Sequence, residues 1–418
     1  MSGLWWRLAW RNLLRERRRS LITGSALALG FVASVLMIGL SDGIVAELIE
    51  NGTGILSGQV QVHSPAWRPE HGLYATLGGD QGLDVDSLLA RIGGSPGVLG
   101  ASPRVWGAGL LSAGSRSAGA VMLGVDMARE RAVGRLLGTL SEGRLPAPGA
   151  HELLLGRSLA RRLGLRVGDT LVVVAPAADG SMGNDLLMVS GLFASGISEL
   201  DASQAIVPIA TLQQLLALGG RRVHEIAIAV RDPWQAVPVA DGVRTRLTGL
   251  GAGLSVEPWT EFRPELAQYA DLARVSNIII IGVVFLMAVF GVANTMWIGT
   301  WERRREFAVV RALGSTPSNV ARSVLYEGFL LGAIALAGGV VLAWPLMAWW
   351  HHAPPDLSGL YGGFTMVGAL VRPVLRVEYS LPAALESAVA LLITSLLAAV
   401  WPAWRAARIP PADALAGR

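Results

Sequence analysis

The sequence predicts an α+β membrane protein in which four transmembrane helices carry a large extracytoplasmic α+β domain inserted between the first and the second. Three observations lead there. Four apolar runs approach or exceed the roughly 20 residues of helix that cross a bilayer. Between the first two of them, residues 41–274 are charged, turn-rich and full of period-two alternation, as in a domain folded in water. Arginines crowd the segments that flank the spans on one side.

Composition narrows the function classes. The chain has 418 residues, 52% of them hydrophobic and 16% charged, with a mean hydropathy of +0.47. That is too apolar for a soluble protein and too polar for one wholly embedded in lipid. The chain has no lysine, so all 35 of its Lys+Arg residues are arginine. Without lysine the chain lacks the group that a P-loop sets on the β- and γ-phosphates, so it is not expected to hydrolyse ATP by itself. The absence of cysteine excludes disulfides, thiolate metal sites and thiol nucleophiles. A net charge of +4 and a pI near 10 reflect arginines set against lipid phosphate, and no nucleic-acid partner is expected.

Residues 1–20 predict a cytoplasmic basic helix. Trp6, Trp10, Leu13 and Leu14 fall on one side and Arg7, Arg11, Arg15 and Arg18 on another, as in an interfacial helix or a flank that only sets orientation. Residues 21–40 are span 1, an uncleaved anchor with small residues at Gly24/Ala28 and Gly30/Ser34 for close helix approach. In the domain at 41–274, strands are expected near 59–63, 119–125, 171–175, 186–193, 204–208 and 225–230. Helices are expected over 85–92, 156–165 and 209–218, in an arrangement of two subdomains. Residues 176–185, with Pro176, Asp179, Gly180, Met182 and Asn184, predict the flexible tip of a β-hairpin reaching away from the domain. It is a plain loop or a docking element for a soluble partner.

Span 2 is 275–298, where Asn294 is expected to bond another helix. The cytoplasmic loop 299–323 follows. Its residues 301–313 predict a helix leaving the bilayer, with Arg303, Arg304 and Arg305 at phosphate level. Gly314 ends that helix, and Pro317 starts a short second one over 317–324, a rigid handle between two spans. Span 3 is 324–350, with Gly328 and Gly332 as a close-packing face. A short outer segment occupies 351–381, span 4 is 382–404, and the tail is 405–418. Glu327 is expected to meet a helix N-terminus, Arg311 or Arg322, or to remain a surface carboxylate. Six arginines precede span 1, five lie in or beside 300–323 and three follow span 4. Both termini are therefore cytoplasmic and the large domain lies outside.

Three motifs carry no chemistry. Gly39-Leu40-Ser41-Asp42-Gly43 has the spacing of a hydrolase elbow but sits at the mouth of a span. His351-His352 offers two adjacent imidazoles and no third metal ligand. Asn51-Gly52-Thr53 matches a glycosylation sequon that matters only in a compartment that glycosylates.

The segments 9–23 (AWRNLLRERRRSLIT), 302–328 (ERRREFAVVRALGSTPSNVARSVLYEG) and 402–417 (PAWRAARIPPADALAG) resemble the FtsX/MacB-type permeases of ABC transporters. The outer-domain segments LLLGRSLARRLGLRVGD and VSGLFASGISELD are most similar to the LolC/LolE lipoprotein-releasing branch. The resemblance implies a MacB-like periplasmic core domain and a bacterial inner-membrane location. It implies a partner: a cytoplasmic, LolD-like ATPase dimer that binds ATP and Mg²⁺. It also implies a second permease subunit, alike or paralogous. The stroke would enter through Glu302, Arg303, Arg304, Arg305, Glu306, Arg311, Gly314, Pro317, Ser318, Asn319, Arg322 and Glu327. A membrane lipoprotein would enter a cavity walled by Phe31, Val35 and Ile38 of span 1 and Phe285, Val289 and Val292 of span 2. It would then pass to a LolA-like periplasmic carrier. Loop 176–185 stands where LolC carries its carrier-binding hook, but its Gly/Ala/Asp-rich sequence differs from that hook. Two alternatives share the motifs: a MacB-like efflux permease and an FtsX-like regulator of a cell-wall hydrolase.

Overall fold

The computed structural model describes residues 2–67, 72–79, 83–219, 221–250, 253–357, 360 and 363–410; most of the predicted tail, 411–418, falls outside them. In chain order the elements begin with α1 (Ser2–Arg15), α2 (Arg17–Gly54), β1 (Val60–His63), α3 (Val85–Gly93), β2 (Val98–Ala113) and β3 (Arg116–Val125). Then come α4 (Met127–Glu130), β4 (Leu140–Gly143), β5 (Glu152–Gly156), α5 (Arg157–Leu163), β6 (Thr170–Pro176) and β7 (Met182–Phe193). Next are α6 (Ser198–Ser203), β8 (Gln204–Pro208), α7 (Ile209–Leu215), β9 (Glu225–Val230), α8 (Ala236–Leu247), β10 (Ser255–Pro258) and α9 (Trp259–Phe262). The last are α10 (Pro264–Glu302), α11 (Arg304–Ala312), α12 (Pro317–His352), β11 (Phe364–Met366), β12 (Ala369–Val371) and α13 (Leu381–Ala407).

The chain divides into two compact units. One, residues 46–270 with 360–373, is built on a ten-stranded sheet of order β10-β1-β9-β2-β3-β8-β5-β7-β4, with β6 paired to β2 and β7. The two expected subdomains are thus joined by one hydrogen-bonded sheet. Its centre is β2, which pairs antiparallel with β3, β6 and β9 along different parts of its length. Strand β2 is not predicted by its sequence, because VLGASPRVWGAGLLSA mixes Gly and Pro into its apolar positions and shows no clean alternation. Nor are β4, β5, β10 and α8 among the predicted elements. Helix α3 begins where Asp84 caps it, its carboxylate accepting from the Ser87 N–H at 3.1 Å.

Arg104 on β2 is fully buried. Its Nη2 lies 2.5 Å and its Nε 3.1 Å from the Glu130 carboxylate, and its Nη1 is 3.4 Å from Glu225. Burial opposes its charge, but the Glu130 and Glu225 carboxylates outweigh that and hold its pKa above the ordinary arginine value. One guanidinium thereby joins β2, β9 and the helical turn after β3.

The other unit, residues 1–45, 271–359 and 374–418, contains the four membrane-spanning segments. Every spanning helix outruns its predicted span. Helix α2 has 38 residues and α10 has 39, roughly 57 Å each at about 1.5 Å per residue. The predicted short helix over 317–324 is not a separate element, because it is the start of the continuous α12. Val320 and Val324 are buried there, so α12 has a packing reason to begin before the lipid does. The predicted helix over 301–313 is interrupted at Arg303, where α10 stops and α11 starts. The outer face of α1 also differs: Ala9 and Leu13 are buried while Trp10 and Leu14 are exposed, because the helix lies against α12. Trp6 meets Tyr326 and Phe329 at ring distances of 6.2 and 6.3 Å.

Helices α12 and α13 pack through the small residues singled out in the sequence. A Cβ on Gly328 would stand 2.6 Å from Ala399 Cβ, and one on Gly332 would overlap Ser395 Oγ. Ser34 of α2 meets Ser387 of α13 at 3.0 Å, whereas Gly30 faces open space. Asn294 is exposed and, among the described residues, bonds no other helix, which departs from expectation. α10 is the least covered span: only 11% of its most apolar stretch is buried within the chain, against 44% for α2. Its apolar faces are therefore open to lipid or to a neighbouring chain.

Two outcomes test these contacts. Arg104→Met leaves two buried carboxylates unpaired and is expected to destabilise the outer unit by about 3–5 kcal/mol, read by thermal unfolding of the full chain in detergent. Gly332→Val is expected to separate α12 from α13 and to lower the yield of monodisperse protein, whereas Gly30→Val, in open space, leaves the yield unchanged.

Candidate functional site

The cytoplasmic loop is built around the break at Arg303. Its Nη1 donates to Glu327 Oε2 of α12 at 3.0 Å, and its Nε donates to Glu306 Oε2 of α11 at 3.2 Å. Glu306 Oε1 in turn accepts from Arg15 Nη2 of α1 at 2.7 Å. A chain of charge-assisted bonds thus ties α1, α11 and α12 together, with Arg303 side chain only 11% exposed. The Arg303–Glu327 bond, largely shielded from water, contributes on the order of 1.5–3 kcal/mol, whereas the exposed Arg15–Glu306 pair contributes about 0–1 kcal/mol. Burial works against the Arg303 charge, yet Glu327 and Glu306 hold its pKa above the ordinary value. Burial likewise opposes the Glu306 charge, but the bonds from Arg15 and Arg303 hold its pKa below the ordinary carboxylate value of 4.5. The stabilisation from the Glu306 bonds is complete above that value and is lost as pH falls through the lower folded one.

Other loop residues take different roles. Arg311 Nη1 donates to the carbonyls of Ala407 and Ile409 at 3.2 and 2.7 Å, which clamps α11 to the C-terminal end of α13. Glu327 therefore meets Arg303, and neither Arg311 nor Arg322 as the sequence suggested. Arg304 stacks over Trp301, and Glu302 is exposed 3.7 Å from Arg19. Arg305, Gly314, Pro317, Ser318 and Arg322 are exposed, while Asn319 is half-buried. Gly314 has φ +96°, a conformation that favours glycine and lets the chain turn between α11 and α12.

Sequence reasoning missed three participants. Arg15 and Arg19 read as lipid-facing charges, yet each is drawn into the protein. Arg19 donates to the Thr295 carbonyl, and a Cβ at Gly299 would overlap its guanidinium. The third is Leu313, 83% exposed at the turn. Its place as the last apolar residue before Gly314 was the available signal. Leu313, Pro317 and Ser318 form an uncovered knob whose base is held by the Arg303 pairs.

The proposed lipid wall is placed differently from expectation. Phe31, Val35, Phe285 and Val292 are buried in the apolar core of the span unit, with Val289 packed against it. Phe31 in particular fills the space left by Gly339 of α12. Ile38 alone of the six lines a small cleft between α2 and α10, of about 70 Å³, together with Ser34, Met37 and Asn277. That holds a water or two. The hairpin also departs from its prediction. β6 and β7 pair out to Pro176 and Met182, so Asn184 lies in the ladder opposite Val174. The tip is only residues 177–181, with Ala177 buried and the Ala178 N–H donating to Leu216 O at 2.8 Å. Asp179 closes it by accepting from the Ser181 N–H and Oγ, bonds that hold its carboxyl below the usual range. The tip is folded onto the end of α7 and does not project as a free loop.

Residues 20–246 match the MacB-like periplasmic core domain family, and residues 278–411 match the FtsX-like permease C-terminal family. Among similar proteins, the lipoprotein-releasing system transmembrane protein LolC of Xylella fastidiosa is 29% identical over 77% of this chain and 78% of its own length. LolC of Neisseria meningitidis is 23% identical over 97% of this chain and 98% of its own. The macrolide export ATP-binding/permease protein MacB of Nitrobacter winogradskyi is 24% identical over 95% of this chain but only 58% of its own length. A multi-pass inner-membrane topology, a large periplasmic domain between the first two spans and matches that together cover most of the chain lead to one conclusion: it belongs to the FtsX/MacB-like family of ABC transporter permeases.

Proposed function

We propose that this chain is a permease subunit that converts ATP hydrolysis by a separate cytoplasmic ATPase into movement of the periplasmic unit, and that the movement extracts lipoproteins from the inner membrane. Membership of the family implies an ATPase partner. What favours mechanical transmission is the length of α2 and α10, whose 38 and 39 residues are nearly twice what a span requires. A helix that continues unbroken past the lipid carries a push along its axis, since bending it would cost backbone hydrogen bonds. The cytoplasmic end of α10 meets the Arg303 junction, where the exposed knob at Leu313, Pro317 and Ser318 offers the ATPase a contact. Arg303, Glu306 and Glu327 transmit its displacement to α11 and α12, and Arg311 transmits it to α13.

Lipoprotein cargo is favoured over other loads by two relatives that are named as lipoprotein-releasing proteins and align along 77% and 97% of this chain. Withdrawing acyl chains from a bilayer costs about 0.8 kcal/mol for each CH₂ exposed, so extraction needs both an energy source and an apolar receiving surface. The poorly covered faces of α10 supply that surface better than the residues first chosen from sequence, four of which are committed to internal packing. Transfer to a carrier and pairing with a second permease belong to the same reading. Efflux of a MacB type remains the second reading, favoured by the match along 95% of this chain.

Three measurements test the proposal. Purification in mild detergent is expected to bring down an ATPase and lipidated proteins; recovery of the ATPase with a macrolide-export phenotype and no lipoprotein would favour the second reading. Val45→Pro, inside α2, interrupts the helix at a cost of about 3 kcal/mol. It is expected to abolish lipoprotein release from spheroplasts while the ATPase still co-purifies, and undiminished release would rule out transmission through α2. Leu313→Asp places a charge on the exposed knob without touching the core. It is expected to reduce ATPase co-purification at least about tenfold, the equivalent of roughly 1.4 kcal/mol.

A further inference from the structure

A cleft of about 620 Å³ opens between the cytoplasmic end of α10, the start of α11 and the end of α13. Trp297, Trp301 and Trp404 line it, and Arg304, Arg405 and Arg408 supply its charge. Each guanidinium lies over an indole. Arg304 is 5.2 Å from the Trp301 ring centre, Arg405 is 5.5 Å from that of Trp297, and Arg408 is 4.1 Å from that of Trp404. Stacking fixes the direction of each planar fork while leaving its N–H donors available.

These arginines differ from the rest of the loop in their pairing. Arg15, Arg19 and Arg303 each have a carboxylate partner. Among the described residues, no ion pair forms to Arg304, Arg405 or Arg408. Three cations with no carboxylate partner among the described residues, converging at the low-dielectric rim of a bilayer, form a strong positive site for an anion. Their depth is that of the aromatic belt, where indoles sit at the headgroup level. Trp401 does not line the cleft but packs against two tryptophans that do, 6.2 Å from Trp297 and 5.3 Å from Trp404 between ring centres. Beyond the charges, Ile298 on α10 and Leu397 and Val400 on α13 are exposed and apolar. The site therefore combines phosphate donors, an aromatic collar and an apolar track, in the order in which a phospholipid presents its own parts.

We propose that this cleft binds an anionic glycerophospholipid, with its phosphodiester held by Arg405, Arg408 and Arg304 and its acyl chains lying along the outward faces of α10 and α13. A free phosphate would use the charges but not the track. A zwitterionic lipid would bring its own cation into a site that already holds three.

The test uses the full chain, purified in mild detergent and stripped of lipid, titrated with phosphatidylglycerol or phosphatidylcholine and read by native mass spectrometry. Wild-type protein is expected to retain phosphatidylglycerol at about tenfold lower concentration than phosphatidylcholine, and Arg405→Gln with Arg408→Gln to remove that preference. Arg405→Lys with Arg408→Lys, which keeps charge without the stacked fork, is expected to fall between. Trp404→Ala removes the indole beneath Arg408 and serves where the double glutamine variant does not yield monodisperse protein; it is expected to weaken phosphatidylglycerol selectively. Equal retention of the two lipids by wild type, or unchanged preference in the glutamine variant or in Trp404→Ala, would overturn the proposal. So would displacement of phosphatidylglycerol by millimolar inorganic phosphate, which would reduce the site to a simple anion hole. Loss of the co-purifying ATPase from the glutamine variant with lipid preference intact would assign the cleft to a protein partner instead.

Discussion

A guanidinium at the edge of a bilayer must face phosphate or be paired, and the fate of the arginines around residue 303 governs the cytoplasmic half of this molecule. Arg303 is paired twice, to Glu306 and Glu327, and nearly shut away from water. Because those two carboxylates belong to different helices, the bond pattern holds α11 and α12 to the end of α10 at the place where the backbone changes direction. Arg15 extends the same pattern to α1 through Glu306, and Arg311 extends it to the end of α13 through two carbonyls. The turn after α11 is therefore bonded, through these side chains, to three of the four spans and to α1. Without the pairing, the break after Glu302 would be a hinge.

The periplasmic unit solves a similar problem away from lipid. Arg104 is buried at the middle of the sheet, where its desolvation would be prohibitive without Glu130 and Glu225. The arrangement joins β2, β9 and the turn carrying α4, elements far apart in sequence. Strand β2 is long enough to pair with β9 near its start and with β3 and β6 near its end, so the sheet runs unbroken across both halves of the domain. The closed hairpin tip at 177–181, folded onto the end of α7, belongs to the same economy of buried backbone groups.

Much of this was legible in the residues. The six strands expected, one from alternation at residues 59–63 and five from apolar runs, are all present, and those at residues 204–208 and 225–230 coincide with β8 and β9. The α3 and α7 patterns read correctly because their apolar residues recur at helical spacing. Gly328 and Gly332 were recognisable as a packing face from their spacing alone. Other features were not legible. β2 escaped because its face is set by three partners and not by its own alternation. Phe31 and Phe285 read as lipid-facing since a span offers apolar side chains in every direction, and only Gly339 and its neighbours reveal which direction is inward. Asn294 was expected to find a partner, but an amide's partner is a matter of which helix stands opposite.

What the sequence determined by itself was the division of the chain between lipid and water, the sidedness of each segment and the family. All three follow from sums over many residues: runs of apolar side chains, the bias of arginine and extended motifs. What only the tertiary structure decided was which individual side chains meet. The pairing of Glu327 with Arg303 instead of Arg311 or Arg322, the capture of Arg15 and Arg19 by carboxylates and carbonyls, and the convergence of Arg304, Arg405 and Arg408 over tryptophans all depend on contacts between segments distant in the chain. Charge fixes that an arginine needs a partner, while the packing of helices fixes which one it receives.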